Sequence, residues 1–520
     1  MKQKKFYLLT LLLSWAFVSS FAQTFKLDLE ATMLKNNGAF KKGTSVKLVE
    51  FTHSTSAMYS VRNTDGAYID DEGVTESFYV VDNQGNKVDI NSKIDDCFDF
   101  KYKNIQDFWD AQIITNVLYM LKKKGFQNEL RQEMEDDALQ YIQQVKDYNL
   151  ELNDPYLENY VYSLIAKIAP VQLIDGRTGN INVIIQQNPS INAACFPNGT
   201  IVLNTGLLAV LHSEDELVAI LAHEIAHFIL DHSVQNVNKA ISRQKRAEFW
   251  AALATGITAV AEGYAASKNS YYTPGAATLS MAVLSSNIAS QVVDHLGMEY
   301  NHEQEYEADR LAVQALEILG YDKNALATAL SRMEKEYVME RSNAMYFSSY
   351  THPALVRRIE NSGTPSENVS KPFEQLISFA ITNVASMKYE DRKFRQCLPL
   401  VSQNIENGIA LADDYILKAN CLLAMQNTEQ SNLEVLQLIS IAKSLDETNV
   451  NIHRTEILAH LRLNKKEEAM TLLSSYIGII SSMNEQLNAI ESDNTWDRYK
   501  SYIGNEKKWA KQMLIKLRGM

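Results

Sequence analysis

Two histidines and a glutamate set out the chemistry. His223-Glu224-Ile225-Ala226-His227 places two imidazoles four residues apart, with a carboxylate directly after the first. On a helix the two rings lie one turn apart on one face, where both can reach a single ion. Glu224 is rotated roughly 100° from His223, beside the ion and off the ligand face. His-Glu-x-x-His is the pattern of zinc-dependent hydrolases, in which the ion acidifies a water and the glutamate moves its proton. The expected reaction is a hydrolysis, with one zinc ion per chain and Glu224 as general base.

The surrounding helix must hold these groups. Ser213 and Glu216 read as a capping box, and acidic residues fill the first turn. Leu217, Val218, Ile220, Leu221, Ile225, Phe228, Ile229 and Leu230 then make the helix apolar nearly all round, so it is expected to be buried. Polar groups on such a helix are costly without partners, and a metal satisfies them together.

A hydrolytic zinc site takes three protein ligands and keeps a fourth position open. The arrangement with a third histidine six residues past the second, and a glycine halfway, is excluded, because Ser233 and Leu230 stand there. His232, at the helix end, is expected to meet the terminal carbonyls. A carboxylate from a second helix is left, and Asn301 to Gly320 reads as that helix. Glu305 and Asp309 share one face; Glu303 and Glu307 share another. Spacing alone does not choose between these pairs. The face of Glu305 and Asp309 runs on to Ala312 and Val313, which turns it inward. Glu305 is therefore expected as third ligand, with Asp309 accepting the free N–H of a ligand histidine.

Other segments frame the site. Ile181 to Ile185 and Ile191 to Leu208 read as two or three strands turning at Pro197-Asn198-Gly199, with Pro197 keeping the ribbon at an edge or bend. An edge strand beside a metal can pair an extended peptide by β-addition; a purely structural hairpin fits equally well. The apolar run from Trp250 to Ala261 is short for a membrane span and reads as a core helix. With the weakly apolar helix of Ala276 to His295 it forms either a lid over the site or plain packing.

The remaining text bounds the architecture. A basic tip (Lys2, Lys4, Lys5), an apolar run from Phe6 to Val18 and Ser20-Phe21-Ala22 read as a signal peptide cut before Gln23, which implies export to a periplasm. The formal charge is −13 and becomes −16 without those three lysines, which argues against nucleic acid as a partner. Of the four cysteines, Cys97, Cys195, Cys397 and Cys421, the last two are the best disulfide candidates, with four buried thiols as the other reading. Short strand-like runs (45–51, 57–62, 77–81 and 87–90) separated by turn residues fit a small β-barrel or sandwich, of SH3 type. Past Pro372 the chain reads as helices. Ile441 to Glu447 and Leu463 to Ala469 fit one register of the 34-residue tetratricopeptide period.

The chain is thus expected to be multidomain: signal peptide at 1–22, small N-terminal β domain at 23–100, helical connector at 101–150, a mainly α zincin peptidase domain with a short β-sheet at 151–370, and a C-terminal α-helical repeat domain at 371–520.

Taken together, His223 to His227 and Glu305-Tyr306-Glu307-Ala308-Asp309 resemble the gluzincin peptidases of the HtpX and CAAX-prenyl-endopeptidase type. Asn192-Ala193 through Gly206-Leu207-Leu208 is similar to the segment those proteins place before the zinc helix. Thr351-His352-Pro353 with Arg357 and Arg358 is similar to their downstream Ser/Thr-His-Pro…Arg element. The resemblance covers residues 153–361. With an export signal and a tetratricopeptide-like tail, the chain is most similar to the soluble periplasmic branch. No multi-pass membrane helices are read in the mature chain, which sets aside a prenyl-protein substrate. Cys195 and Asn198 depart from the family pattern, where an apolar residue and a glycine are common.

Pro353 keeps His352 off a helix interior, so His352 is expected as an oxyanion donor, with an exchangeable metal ligand or a structural loop histidine as the other readings. The function implied is quality control of misfolded or stalled envelope proteins. Expected partners are unfolded or misassembled protein substrates and the outer-membrane assembly machinery. The second reading is a chaperone or adaptor that holds such proteins through its helical repeats, with proteolysis secondary.

Overall fold

The computed structural model describes residues 21–36, 41–55, 74–82, 87–90, 98–116, 126–147, 150–173, 181–240, 298, 300–341, 355–489 and 494–519. The chain divides into two compact units, Met1–Leu121 with Pro170–Gly179, and Lys122–Ala169 with Asn180–Met520.

The first unit is built on an antiparallel sheet of β1 (Phe21–Met33), β2 (Ser45–Thr55), β3 (Val74–Asp82), β4 (Lys87–Ile90) and β5 (Phe98–Lys101), in the order β4-β3-β2-β1-β5. Leu29, Ala31 and Met33 alternate on β1 and are buried with Val46 and Leu48 of β2, so one face is apolar. Helix α1 (Ile105–Asn116) packs on β1 and buries Phe108, Trp109 and Ile113. Among the described residues the β segment is one meandering sheet. Phe21 and Ala22, placed in the leader by the sequence, pair with Thr55 and Ser54. Residues 1–20 and the run 57–62 lie outside the described residues.

The expected single connector is divided. α1 belongs to the first unit, while α2 (Phe126–Asp147) belongs to the second. Leu130, Met134, Ala138, Tyr141 and Val145 recur along one face of α2 and pack against Ile184, Ala194, Phe196 and Val202. The tertiary core, not the local helical text, decides which unit each helix joins.

The second unit contains a three-stranded sheet of β6 (Asn182–Gln186), β7 (Ala193–Cys195) and β8 (Thr200–Asn204), ordered β6-β8-β7, with β6 parallel and β7 antiparallel to β8. The turn between β7 and β8 closes through Gly199 N–H to Phe196 O, with Gly199 at φ 80°. α3 (Pro155–Ile168) precedes the sheet, capped by Asp154, and α4 (Thr205–Leu208) follows it. A Cβ on Gly206 would lie 2.3 Å from Pro189 O, so only glycine permits this approach.

α5 (Glu214–Ile229) is the axis of this unit, buried from Glu216 to Ile229. Ser213 Oγ accepts from Glu216 N–H at 3.3 Å, and Glu216 turns back to the His212 N–H at 3.2 Å. The expected reciprocal box is therefore shifted by one residue on its second arm. Asp231, in the left-handed region at φ 60°, separates α5 from α6 (His232–Ala240) and is held by buried Arg131 of α2. α7 (His302–Leu319) is capped by Asn301 and Gln304 and ends at Gly320, φ 79°. α8 (Ala325–Arg341) and α9 (Leu355–Ser362) pack together, and α7 and α8 both lie against α5.

From α10 (Lys371–Leu376) onward the chain is a run of helices: α11 (Ser378–Glu390), α12 (Phe394–Glu406), α13 (Ala412–Met425), α14 (Glu429–Leu445), α15 (Asn451–Arg462), α16 (Lys466–Asn488) and α17 (Asn494–Arg518). From α11 on, each helix packs on the next. Cys397 and Cys421 lie in one buried cluster with Val401 and Leu417, and both are free thiols. The disulfide favoured from their shared helical region is thus absent; Cys97 lies outside the described residues. Among the described residues, no helix is long and apolar enough to cross a membrane.

Candidate active site

α5 and α7 bring the expected groups to one point. His223 Nε2 and His227 Nε2 are 3.1 Å apart, one helical turn separating their residues. Glu305, from the first turn of α7, faces both: Oε1 is 3.3 Å from His227 Nε2 and Oε2 is 3.8 Å from His223 Nε2. Ligand atoms of His223, His227 and Glu305 all lie within 4.8 Å of one another, and all three residues are buried. Two imidazoles and one carboxylate converging from buried positions are a donor set suited to zinc. Burial favours the uncharged His227 ring and pulls its pKa well below the ordinary value, despite the Glu305 carboxylate.

Asp309 occupies the expected place behind this group, with Oδ1 2.9 Å from His223 Nδ1. Burial raises the pKa of its carboxyl, but Arg358 and His223 outweigh that and hold it below the usual range. Arg358, from α9, forks onto Asp309 through Nε (2.8 Å to Oδ2) and an η-nitrogen (2.7 Å to Oδ1). Its other η-nitrogen is 2.6 Å from Glu305 Oε2. Of the two adjacent arginines, Arg358 enters the site and Arg357 faces solvent.

Glu224 sits beside this cluster and is buried; its Oε2 accepts from the Cys195 N–H at 3.0 Å. β7 therefore touches the general-base candidate through its backbone. Asn192 O and Phe196 N–H bond toward β8, and strand alternation turns Ala193 and Cys195 to the other edge. The Tyr337 hydroxyl donates to Ile191 O at 2.7 Å and anchors the start of this strand to α8.

Two neighbours make contacts that the sequence does not predict. Tyr300 stacks flat on His227, ring centroids 3.7 Å apart and planes at 14°. Burial, then the nearby Glu224, Cys195 and Glu305, raises its pKa well above the ordinary tyrosine value, so it stays a neutral phenol. His232 does not serve the helix-end carbonyls as expected; its Nδ1 is 2.8 Å from His227 Nδ1. Its Nε2 is 3.4 Å from Glu307 Oε2, on the face of α7 that spacing left as the alternative. The signal for His232 was its position five residues past His227, which the left-handed residue Asp231 converts into a contact. His352 and the segment from Trp250 to His295 lie outside the described residues.

A sheet edge, a His-Glu-x-x-His helix and a second helix supplying a carboxylate make up a metallopeptidase site, and residues 155–364 match peptidase family M48. Among similar proteins, the beta-barrel assembly-enhancing protease of Escherichia coli (strain K12) is 27% identical over 197 residues, covering 37% of this chain and 36% of that protein. The protein of the same name from Yersinia pestis is 22% identical over 335 residues, 64% of this chain and 57% of its own. The mitochondrial metalloendopeptidase OMA1 of Saccharomyces cerevisiae is 25% identical over 206 residues, 39% of this chain and 51% of its own. The chain thus spans well under two thirds of each relative's length.

Proposed function

We propose that this chain is an exported zinc metalloendopeptidase that hydrolyses peptide bonds of misfolded or stalled envelope proteins in a periplasm. The observation that carries the reading is the buried convergence of His223, His227 and Glu305 with Glu224 beside them. His223, His227 and Glu305 hold the ion, and a bound zinc supplies Lewis acidity to the attacking water and the scissile carbonyl. Asp309 orients His223, and Arg358 locks Asp309 in turn. Glu224 takes the water's proton and passes it to the leaving amine. The Cys195 N–H fixes the direction of the Glu224 carboxylate.

An extended substrate pairs with β7 by strand addition, using the edge that Ala193 presents. The neighbouring Cys195 N–H is already taken by Glu224, so this sets the register of the scissile bond beside the base. The signal-peptide reading of residues 1–22 and the relatives named for β-barrel assembly support envelope proteins as the substrate class. The run of helices from α11 to α17 is read as a tetratricopeptide-like surface that recruits them.

The test is digestion of casein and of an unfolded outer-membrane protein by wild type and Glu224→Gln, with and without chelator, alongside zinc content. The variant is expected to retain one zinc per chain and lose cleavage by about 10²-fold or more. Chelator-insensitive cleavage, or a folded protein without stoichiometric zinc, refutes the reading. Full complementation of a deletion by Glu224→Gln would replace it with the adaptor function.

A further inference from the structure

The two ligand histidines are backed differently. His223 has a carboxylate behind it, Asp309, clamped by Arg358. Behind His227 stands a second imidazole, His232, with Glu307 beyond it. A contact of 2.8 Å between two ring nitrogens requires a proton on one and a lone pair on the other. His227 Nε2 is the nitrogen that faces His223 and Glu305, so it must offer its lone pair to an ion. Its proton is then on Nδ1, and His232 Nδ1 must be the acceptor. That leaves the His232 proton on Nε2, the atom 3.4 Å from Glu307 Oε2. Every tautomer in the row follows from the one before it.

We propose that His232 and Glu307 are positioning residues for the metal site, a relay that fixes the Nδ1–H tautomer and ring angle of His227. The proposal rests on the zinc-peptidase reading and extends it to a residue outside the His-Glu-x-x-His motif.

The surroundings hold the relay in place. His232 is 2% and His227 1% exposed, so bulk water does not stand in for either partner. Arg131 grips Asp231, the left-handed residue that turns the chain so that the His232 ring faces back to α5. Gln304 Nε2 donates to Asn236 Oδ1 at 3.0 Å and reaches the His232 carbonyl at 3.4 Å, tying α6 to α7. Tyr300 lies against the face of His227 and leaves the ring edge as the direction for adjustment. Rotation of His227 in its plane is therefore controlled by His232.

The experiment is zinc titration of metal-free, full-length protein against a chromogenic chelator, for wild type, His232→Ala, His232→Asn, His232→Gln and Glu307→Ala. An asparagine Oδ1 takes nearly the place of the histidine Nδ1, whereas a glutamine amide takes that of Nε2. His232→Ala and His232→Gln are expected to weaken zinc affinity by about 10- to 100-fold. His232→Asn is expected to stay within about threefold of wild type, and Glu307→Ala to fall between. Melting temperatures of the metal-free forms identify any variant that fails to fold, and the comparison of Asn with Gln at equal stability then carries the result. Wild-type affinity in His232→Ala, or equal losses in Asn and Gln, overturns the relay alone. A folded wild type that takes up no zinc overturns the zinc-peptidase reading and the relay with it.

Discussion

Replacing Arg358 by methionine isolates what its guanidinium does. The side chain is 2% exposed and makes three charge-assisted contacts, two with Asp309 at 2.7 and 2.8 Å and one with Glu305 at 2.6 Å. Burial opposes the arginine's charge, and the Glu305 and Asp309 carboxylates more than offset this, raising its pKa above the ordinary value. Methionine fills much of the same volume and leaves two carboxylates buried with no countercharge. Hydrogen bonds to charged groups are worth about 1.5–3 kcal/mol each, but both carboxyls can take up protons, so the simple sum overstates the loss. Breaking a buried ion pair costs about 3–5 kcal/mol, and that is the expected destabilisation of the metal-free protein. At about 2–4 °C per kcal/mol for a domain of this size, the melting temperature falls by about 10 °C. Excess zinc supplies a countercharge to Glu305 and narrows the gap; at a thousandfold excess over Kd, binding itself contributes about 4 kcal/mol. Arg358→Lys keeps a charge without the fork and recovers about half of the loss. Arg357→Met, on the exposed side of the same helix, changes nothing measurable. Thermal melting of these forms with and without zinc decides the matter. A metal-free Arg358→Met that melts with wild type would show that the two carboxylates do not need the arginine.

Asp137 on α2 provides a pH test. Burial, with Asp136 and Glu133 nearby, pushes its carboxyl up to about 6. A raised folded pKa contributes stability that is complete below the unfolded value and is lost as pH rises through about 6. Asp137→Asn should therefore stabilise the protein by about 1 kcal/mol near pH 8, discounted for partial exposure, and by nothing near pH 4. Equal gains at both pH values in denaturant titrations would contradict it. The cysteines give a second measurement. Cys397 and Cys421 are free and buried, so a thiol reagent is expected to label them slowly in native protein and rapidly after unfolding, without reductant. Protection of Cys397 and Cys421 that persists in denaturant would instead reveal a disulfide.

Both the legible and the illegible parts of the site follow from the distance over which each contact is made. His223, Glu224 and His227 could be read directly, because one helical turn converts their spacing into a shared face. Glu305 and Asp309 needed one further step, the apolar continuation of their face, and α7 does turn that face to α5. The β7 edge was readable as a turn at Pro197-Asn198-Gly199, although its hold on Glu224 was not, since one backbone N–H looks like another in sequence. Arg357 and Arg358 are identical letters. Only the approach of α9 to α7 buries one and leaves the other in water. The fate of α1 and α2 is the same case at larger scale: two helices in succession whose partners lie in different units. His232 shows the limit most sharply. Treated as a continuation of α5, it belongs at the helix end, where a histidine ordinarily meets carbonyls. A left-handed residue at Asp231, paired with an arginine 100 positions upstream, breaks the helix there and swings the ring onto His227. Periodicity describes a helix while it lasts. At the residue where it stops, the next side chain's direction depends on a long-range ion pair, and there the sequence pattern no longer says which way that ring points.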